Sequence, residues 1–343
     1  MKGIVIHLYA AALILLAGSC QKPAESPEYV LKFGHQANEQ DVWHRSAMYF
    51  ARQLDSISGG RIEVRVYPSE QLGGELDMIR SLRAGVSEIT ITAESMQNWA
   101  PITAFLAIPY LIRDSDHLRM VVEGDIGREI TREMTGTIGL RPLAYFERGP
   151  RHLTSNRPVH SPADLDGMVL RVPNVPLFVR VWQALGAKPT PMTFSEVFTA
   201  LQQGTVEAQE NPFALIYSAG FFEVQRYLNL TGHVTGWTYV VIGEKKFRAL
   251  PADLQAMILE AGEAMQAYHR REFRKQEEFL RTQLEDRGMT FIEPDIEAFR
   301  QMAGAAVLDI IPREYRQLYQ RIIELQSDAS PMCQDTLNSI INL

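Results

Sequence analysis

Apolar residues recur in two rhythms along the first part of the chain. Ile62, Val64 and Val66 alternate with polar neighbours, the period of a half-buried strand, and Pro68 stops the run. Before it, Trp43, Ala47, Phe50, Leu54 and Ile57 recur at helical spacing. Asp41 stands where an N-cap is needed, and Gly59-Gly60 ends the segment. A strand over Tyr29–Gly34 precedes this helix. A helix from Glu75 to Arg83 follows Gly73-Gly74 and stops at Gly85, and Ile89 and Ile91 alternate in a strand ending at Thr92. This β-α-β-α-β order predicts a largely parallel sheet.

The order returns further on. Val169 to Val172 is a strand closed by Pro173, because the residue before proline is pushed to extended backbone. A helix from Pro176 to Leu185 ends at Gly186, and Pro189 to Met192 is extended. Thr193 and Glu196 form a capping box for a helix that ends at Gly204. Thr205 to Glu210 reads as a strand broken by Asn211-Pro212. Two segments join the halves: Tyr145–Gly149 as the crossing and Trp237–Gly243 as the strand that returns.

Pro251 to Arg287 has no internal proline and one internal glycine, Gly262. Leu254, Ile258, Ala261, Met265 and Tyr268 step by four and three. The segment predicts one helix about 55 Å long, or two helices kinked at Gly262. A last helix pair, Asp295 to Leu325, is expected to pack on the second lobe.

At 343 residues the chain exceeds one typical domain. The expected division is lobe I from 29–148 plus 237–276, and lobe II from 149–236 plus 277–326. A net charge of −7 argues against a nucleic-acid partner, and any anion must be met by local arginines. Residues 1–20 read as a targeting segment, with Lys2 before an apolar run too short to span a membrane comfortably. Leu16-Ala17-Gly18-Ser19-Cys20 resembles a lipobox, so Cys20 is the expected lipidation site and anchor to a bacterial membrane; ordinary signal-peptidase cleavage is the alternative. Residues 21–28 read as a tether and 327–343 as a tail. Cys20 and Cys333 are the only cysteines, so disulfides are not expected to hold the fold.

The candidate chemistry gathers at strand ends. Arg171, Asn174 and Asn211 fall at or just past predicted strand C-termini, where open α/β sheets bind ligands. The apolar run before Arg171 would otherwise bury an unpaired charge. Phe194 precedes the capped helix, as a hydrophobic staple or as the wall of a pocket.

The stretch LRVPN followed by PMTFSEVFTALQQGTVEAQENP resembles the signature region of the DctP-type substrate-binding proteins of tripartite ATP-independent periplasmic (TRAP) transporters. The resemblance runs from LKFGH at Leu31 to the C-terminal helices. It implies an α/β, two-lobed periplasmic-binding-protein fold, type II-like, with a long lobe-spanning helix. It also implies that Arg171 forms a two-pronged salt bridge to a ligand carboxylate. Gly149 to Arg157 resembles the family segment G-x-R-x-x-x-S-N-R, which makes Arg151 a second ligand-facing arginine. Glu94 matches an acid that holds ligand hydroxyls, with a solvated loop carboxylate as the alternative. Gln97 stands where sialic-acid receptors carry an arginine, which favours a sugar acid such as a hexuronate. Glu75 and Asn38 match positions that line the sugar side.

No phosphate-binding loop, nucleophile elbow or metal-ligand spacing occurs in the chain. No metal, cofactor or catalytic residue is expected, although an enzyme would use Glu94 with His152. The expected partners are a small organic-acid ligand and the TRAP membrane permease, and the expected location is periplasmic. Sialic-acid or C4-dicarboxylate receptors, or a sensor subunit, are the alternatives.

Overall fold

The computed structural model describes residues 26–327. The targeting segment, Cys20, residues 21–25, Cys333 and nearly all of the predicted tail lie outside the described residues.

Among the described residues nine strands form one sheet: β1 Tyr29–Gly34, β2 Ile62–Tyr67, β3 Ile89–Thr92, β4 Leu140–Ser155, β5 Val169–Val172, β6 Lys188–Pro191, β7 Ala208–Pro212, β8 Tyr227–Gly243 and β9 Thr290–Ile292. Their order is β2-β1-β3-β8-β4-β7-β5-β6, with β9 beside β8. At each end lies a short parallel set, β2-β1-β3 and β7-β5-β6. The long antiparallel pair β4 and β8 ties the two sets together. Each parallel set is the floor of one lobe, and the long pair runs through both.

Local chemistry sets the helices. Asp41 Oδ1 accepts from Trp43 N at 2.8 Å, and Gly59 ends the helix Val42–Ser58 in the left-handed region at φ 64°. Gly85 does the same for the helix Glu75–Ala84. The capping box of Thr193 and Glu196 forms as expected.

The segment after Pro251 is one unbroken helix, Ala252–Asp286. Leu254, Ile258, Ala261 and Met265 bury in the first-lobe core, and Leu280 and Leu284 bury in the second. Gly262 needs its missing Cβ, because an added one would lie 2.6 Å from the Leu143 carbonyl oxygen of β4. The glycine allows close helix–strand contact rather than a kink.

Three expectations change. The strand read at Thr205–Glu210 lies at Ala208–Pro212, because Thr205 N donates to Ala200 O and completes the helix exit. Asn211 and Pro212 pair with β4 rather than break the strand. The returning strand begins at Tyr227, ten residues before Trp237, and β9 was not anticipated. Of the last two helices, Ile296–Ile310 packs on Pro176–Ala184, but Arg316–Ser327 lies on Ser115–Glu123 in the first lobe. There His117 Nε2 meets the Ile322 carbonyl at 3.1 Å. Among the described residues no helix is long and apolar enough to cross a membrane.

Candidate functional site

A cavity of about 210 Å³ opens between the lobes. Seven of the nine predicted ligand-side residues line it: Glu75, Glu94, Arg151, Arg171, Asn174, Phe194 and Asn211.

Arg171 sits in β5 and is 3% exposed. Its Nε and Nη2 both donate to the Met192 carbonyl, at 3.1 and 2.6 Å. The guanidinium carbon stands 5.9 Å from the centre of the Phe194 ring. Among the described residues no carboxylate lies within ion-pair distance of it. Burial pulls the group down to about 10, so it remains a cation at neutral pH. Its side chain is thus fixed through one carbonyl while its charge lacks a counterion.

Arg151 lines the cavity and is also engaged within the protein. Its Nε and Nη2 grip Glu210, at 2.5 and 2.7 Å, and Nη2 also reaches the Glu210 carbonyl at 2.9 Å. Nη1 has no hydrogen-bond partner and lies 3.5 Å from Glu94 Oε1. His233 Nε2 stands 3.0 Å from Glu210 Oε2. Burial pushes the Glu210 carboxyl up, but Arg151 and His233 more than reverse this and hold it at about 2.

Glu94 is buried rather than solvated. Its Oε2 accepts from Arg148 Nη1 at 2.7 Å. Glu75 accepts from Thr92 Oγ1, Ala93 N and Ser95 Oγ, at 2.7, 2.9 and 2.6 Å. Burial, and then the Glu94 charge, push the Glu75 carboxyl up. Asn211 Nδ2 donates to Gln209 Oε1, and Gln209 Nε2 donates to Thr154 Oγ1, so a buried chain of amides sets its orientation.

Two predicted residues are elsewhere. Gln97 folds back on its own 3₁₀ turn, where its Nε2 donates to the Glu94 carbonyl at 3.1 Å. Asn38 uses both ends of its amide: Nδ2 donates to Ser218 O across the lobes, and Oδ1 accepts from Gln40 N. Gln36 lines the cavity on that side instead. The acid–base pair of Glu94 and His152 is not assembled either. His152 lies outside the cavity, accepts from Gly232 N and stacks on Phe213 with ring centres 4.7 Å apart.

Arg148, Glu210 and His233 were not anticipated. Arg148 and Arg151 are three apart, which in a regular strand sends them to opposite faces. The register of β4 against β8 slips between Glu147 and Pro150, and Gly149 takes φ 71° there. Such a bulge re-aims side chains, and both guanidinia end at Glu94. The visible signal for Glu210 was its place directly before Asn211.

The lobes touch across the cleft. Ser195 N donates to Glu70 Oε2 at 3.2 Å, and Asn98 Nδ2 donates to the Asn174 carbonyl at 3.3 Å. With the Asn38–Ser218 contact these bonds describe a closed arrangement. Among the described residues no group of three His, Cys, Asp or Glu could hold a metal ion.

Comparisons with known proteins identify the family. The model of the DctP family, described as bacterial extracellular solute-binding protein, family 7, matches residues 33–313. A solute-binding protein of Roseobacter denitrificans is 47% identical over 312 residues, covering 91% of this chain and 96% of the relative. The crystal structure of a TRAP periplasmic solute binding protein from that organism, with bound L-galactonate, gives a TM-score of 0.86 at 48% identity, covering 87% of this chain and all of that one. A Bradyrhizobium TRAP protein in complex with α/β-D-galacturonate gives 0.81 at 30% identity, covering 85% and 98%. One from Haemophilus influenzae with bound L-gulonate gives 0.81 at 32% identity, covering 87% and 99%. The chain therefore belongs to the DctP family of TRAP solute-binding proteins.

Proposed function

We propose that this protein is the extracytoplasmic receptor of a TRAP transporter and captures a six-carbon sugar acid, an aldonate or a hexuronate, without transforming it. One observation carries the reading: Arg171 is a buried guanidinium in the cavity with no counterion among the described residues. A ligand carboxylate would supply the missing charge. A guanidinium suits the task because it offers paired planar donors and keeps its charge. Arg151 Nη1 is a second donor without a hydrogen bond. Glu75, Glu94, Asn174 and Asn211 supply acceptors and amides for hydroxyl groups, and Phe194 covers an apolar face of the carbon chain. The L-galactonate, galacturonate and L-gulonate bound by similar proteins support this ligand class.

Binding begins with the lobes apart. The ligand carboxylate meets Arg171, and closure brings Glu70 onto Ser195 N and expels water, which strengthens the ion pair. The moving parts are 29–148 with 237–276 and the last helix, Arg316–Ser327, against 149–236 with 277–315. The closed form then docks on the TRAP permease, and Cys20 tethers the receptor to the membrane.

A thermal-shift screen of the chain without residues 1–20 tests the assignment. L-Galactonate or D-galacturonate is expected to stabilise it strongly, and succinate, sialic acid and neutral sugars to leave it unchanged. Stabilisation by succinate or sialic acid alone would overturn the sugar-acid reading. Mass spectrometry is expected to recover the bound ligand intact; a changed ligand would make this an enzyme.

A further inference from the structure

Most arginines at the cleft already have a carboxylate. Arg80 pairs with Asp77, Arg148 with Glu94, and Arg151 with Glu210. Among the described residues Arg171 is the cavity arginine left without one. Arg171 is therefore, among the described residues, the one arginine lining the cavity that is free to take a ligand carboxylate.

The wall across the cleft carries the opposite sign. Glu70, Glu75 and Asp77 come from the loop and helix after β2, and all line the cavity. The Glu70 carboxylate accepts from Ser195 N and, among the described residues, has no cation within ion-pair distance. Its position is built at a cost. Ser69 and Glu70 both take left-handed backbone, at φ 53° and 58°, although neither is glycine. Bonds from Ser69 N to Ala37 O and from Glu70 N to His35 O, at 2.9 and 3.1 Å, hold that loop. Such strain persists only where the surroundings over-determine it.

We infer that this wall makes the receptor selective for monoanions, with Glu70 as the main determinant. One carboxylate is taken at Arg171, and a second at the far end of the same carbon chain is refused. The inference rests on the sugar-acid reading for its choice of probe. Like charges brought within several ångströms of each other in a partly desolvated cleft cost on the order of a hundredfold in binding. Arg80 offers no relief, because it is 62% exposed at the mouth and paired with Asp77.

Titration calorimetry with L-galactonate and galactarate tests this. The two share one skeleton, and galactarate has a carboxylate where L-galactonate has a hydroxymethyl group. The wild-type protein is expected to bind galactarate at least thirtyfold more weakly. Glu70→Gln removes the charge but keeps an acceptor for Ser195 N. It is expected to bring the ratio to about threefold or below, whatever its effect on L-galactonate alone. Equal binding of both by the wild-type protein would overturn the inference, and an unchanged ratio in Glu70→Gln would overturn the role of Glu70. If succinate binds and no sugar acid does, both this inference and the sugar-acid reading fall. If lactate or another non-sugar monocarboxylate binds and dianions do not, the sugar-acid reading falls and monoanion selectivity stands.

Discussion

Arg171 directs two donors at one backbone carbonyl, so its orientation is fixed before any ligand arrives. That arrangement favours affinity, because little side-chain freedom remains to be lost on binding. Arg171→Ala is expected to weaken sugar-acid binding a hundredfold or more, since losing one partner of a buried ion pair costs about 3–5 kcal/mol. Arg171→Lys keeps the charge but loses the fork, and should fall between the two in calorimetry. Glu277 makes a different case. It is half-buried on the long helix, and an added Cβ on Gly149 would meet its Oε1 at 2.7 Å. Burial, and then the Glu147 charge, push its carboxyl up to about 7. The folded state therefore holds a proton that the unfolded chain releases near 4.5. Stability should fall as pH rises from about 4.5 to about 7, with the penalty complete above that window. Glu277→Gln is expected to raise Tm at pH 8 by a few degrees and leave it unchanged at pH 4. Equal shifts at both pH values would show that the carboxyl does not titrate in this window.

Among the elements, the local signals were legible and the long-range ones were not. The Asp41 cap, the glycine stops and the Thr193 box are each written within four residues, and each forms. Arg171 was legible because an apolar strand carried a charge that needed a reason. The first half of β8 was not, because it includes Asn229 and Thr231, polar residues that look like loop. Asn229 is fully buried and bonded to Leu153 O, Ser155 Oγ and Val159 N, partners some seventy residues away. Arg148 escaped because a bulge, not the strand period, decides where it points. The long helix offers a test at this scale. Gly262→Ala gains up to about 1 kcal/mol of helix propensity, but its methyl group would press on a backbone carbonyl that cannot swing aside. Overpacking of about 1–3 kcal/mol should win, and circular dichroism should record a Tm several degrees lower. A rise in Tm would mean that the helix is free to move off β4.

In the whole molecule, the chain passes between the lobes four times, in β4, in β8, in the helix Ala252–Asp286 and in the short segment between Ile310 and Arg316. The first three are regular structure, with β4 and β8 hydrogen-bonded to each other. Closure is therefore a bend of continuous elements rather than the swing of a loose linker. Both lobes share the long pair β4 and β8 within one sheet, so calorimetry should show one unfolding transition, and two separate peaks would contradict the shared sheet. Saturating ligand at about a thousandfold over Kd should stabilise the whole by about 4 kcal/mol, moving that single peak as one.

The same passes bear on how such a receptor changes over generations. The residues of each lobe come from separated stretches of the chain, so neither lobe is encoded by one contiguous block of gene. A recombination event that swapped one block would import part of a lobe and cut through paired strands. New ligand preferences are reached more readily by single substitutions along the walls of the cleft, at positions such as Glu70 and Gln36, than by exchanging halves.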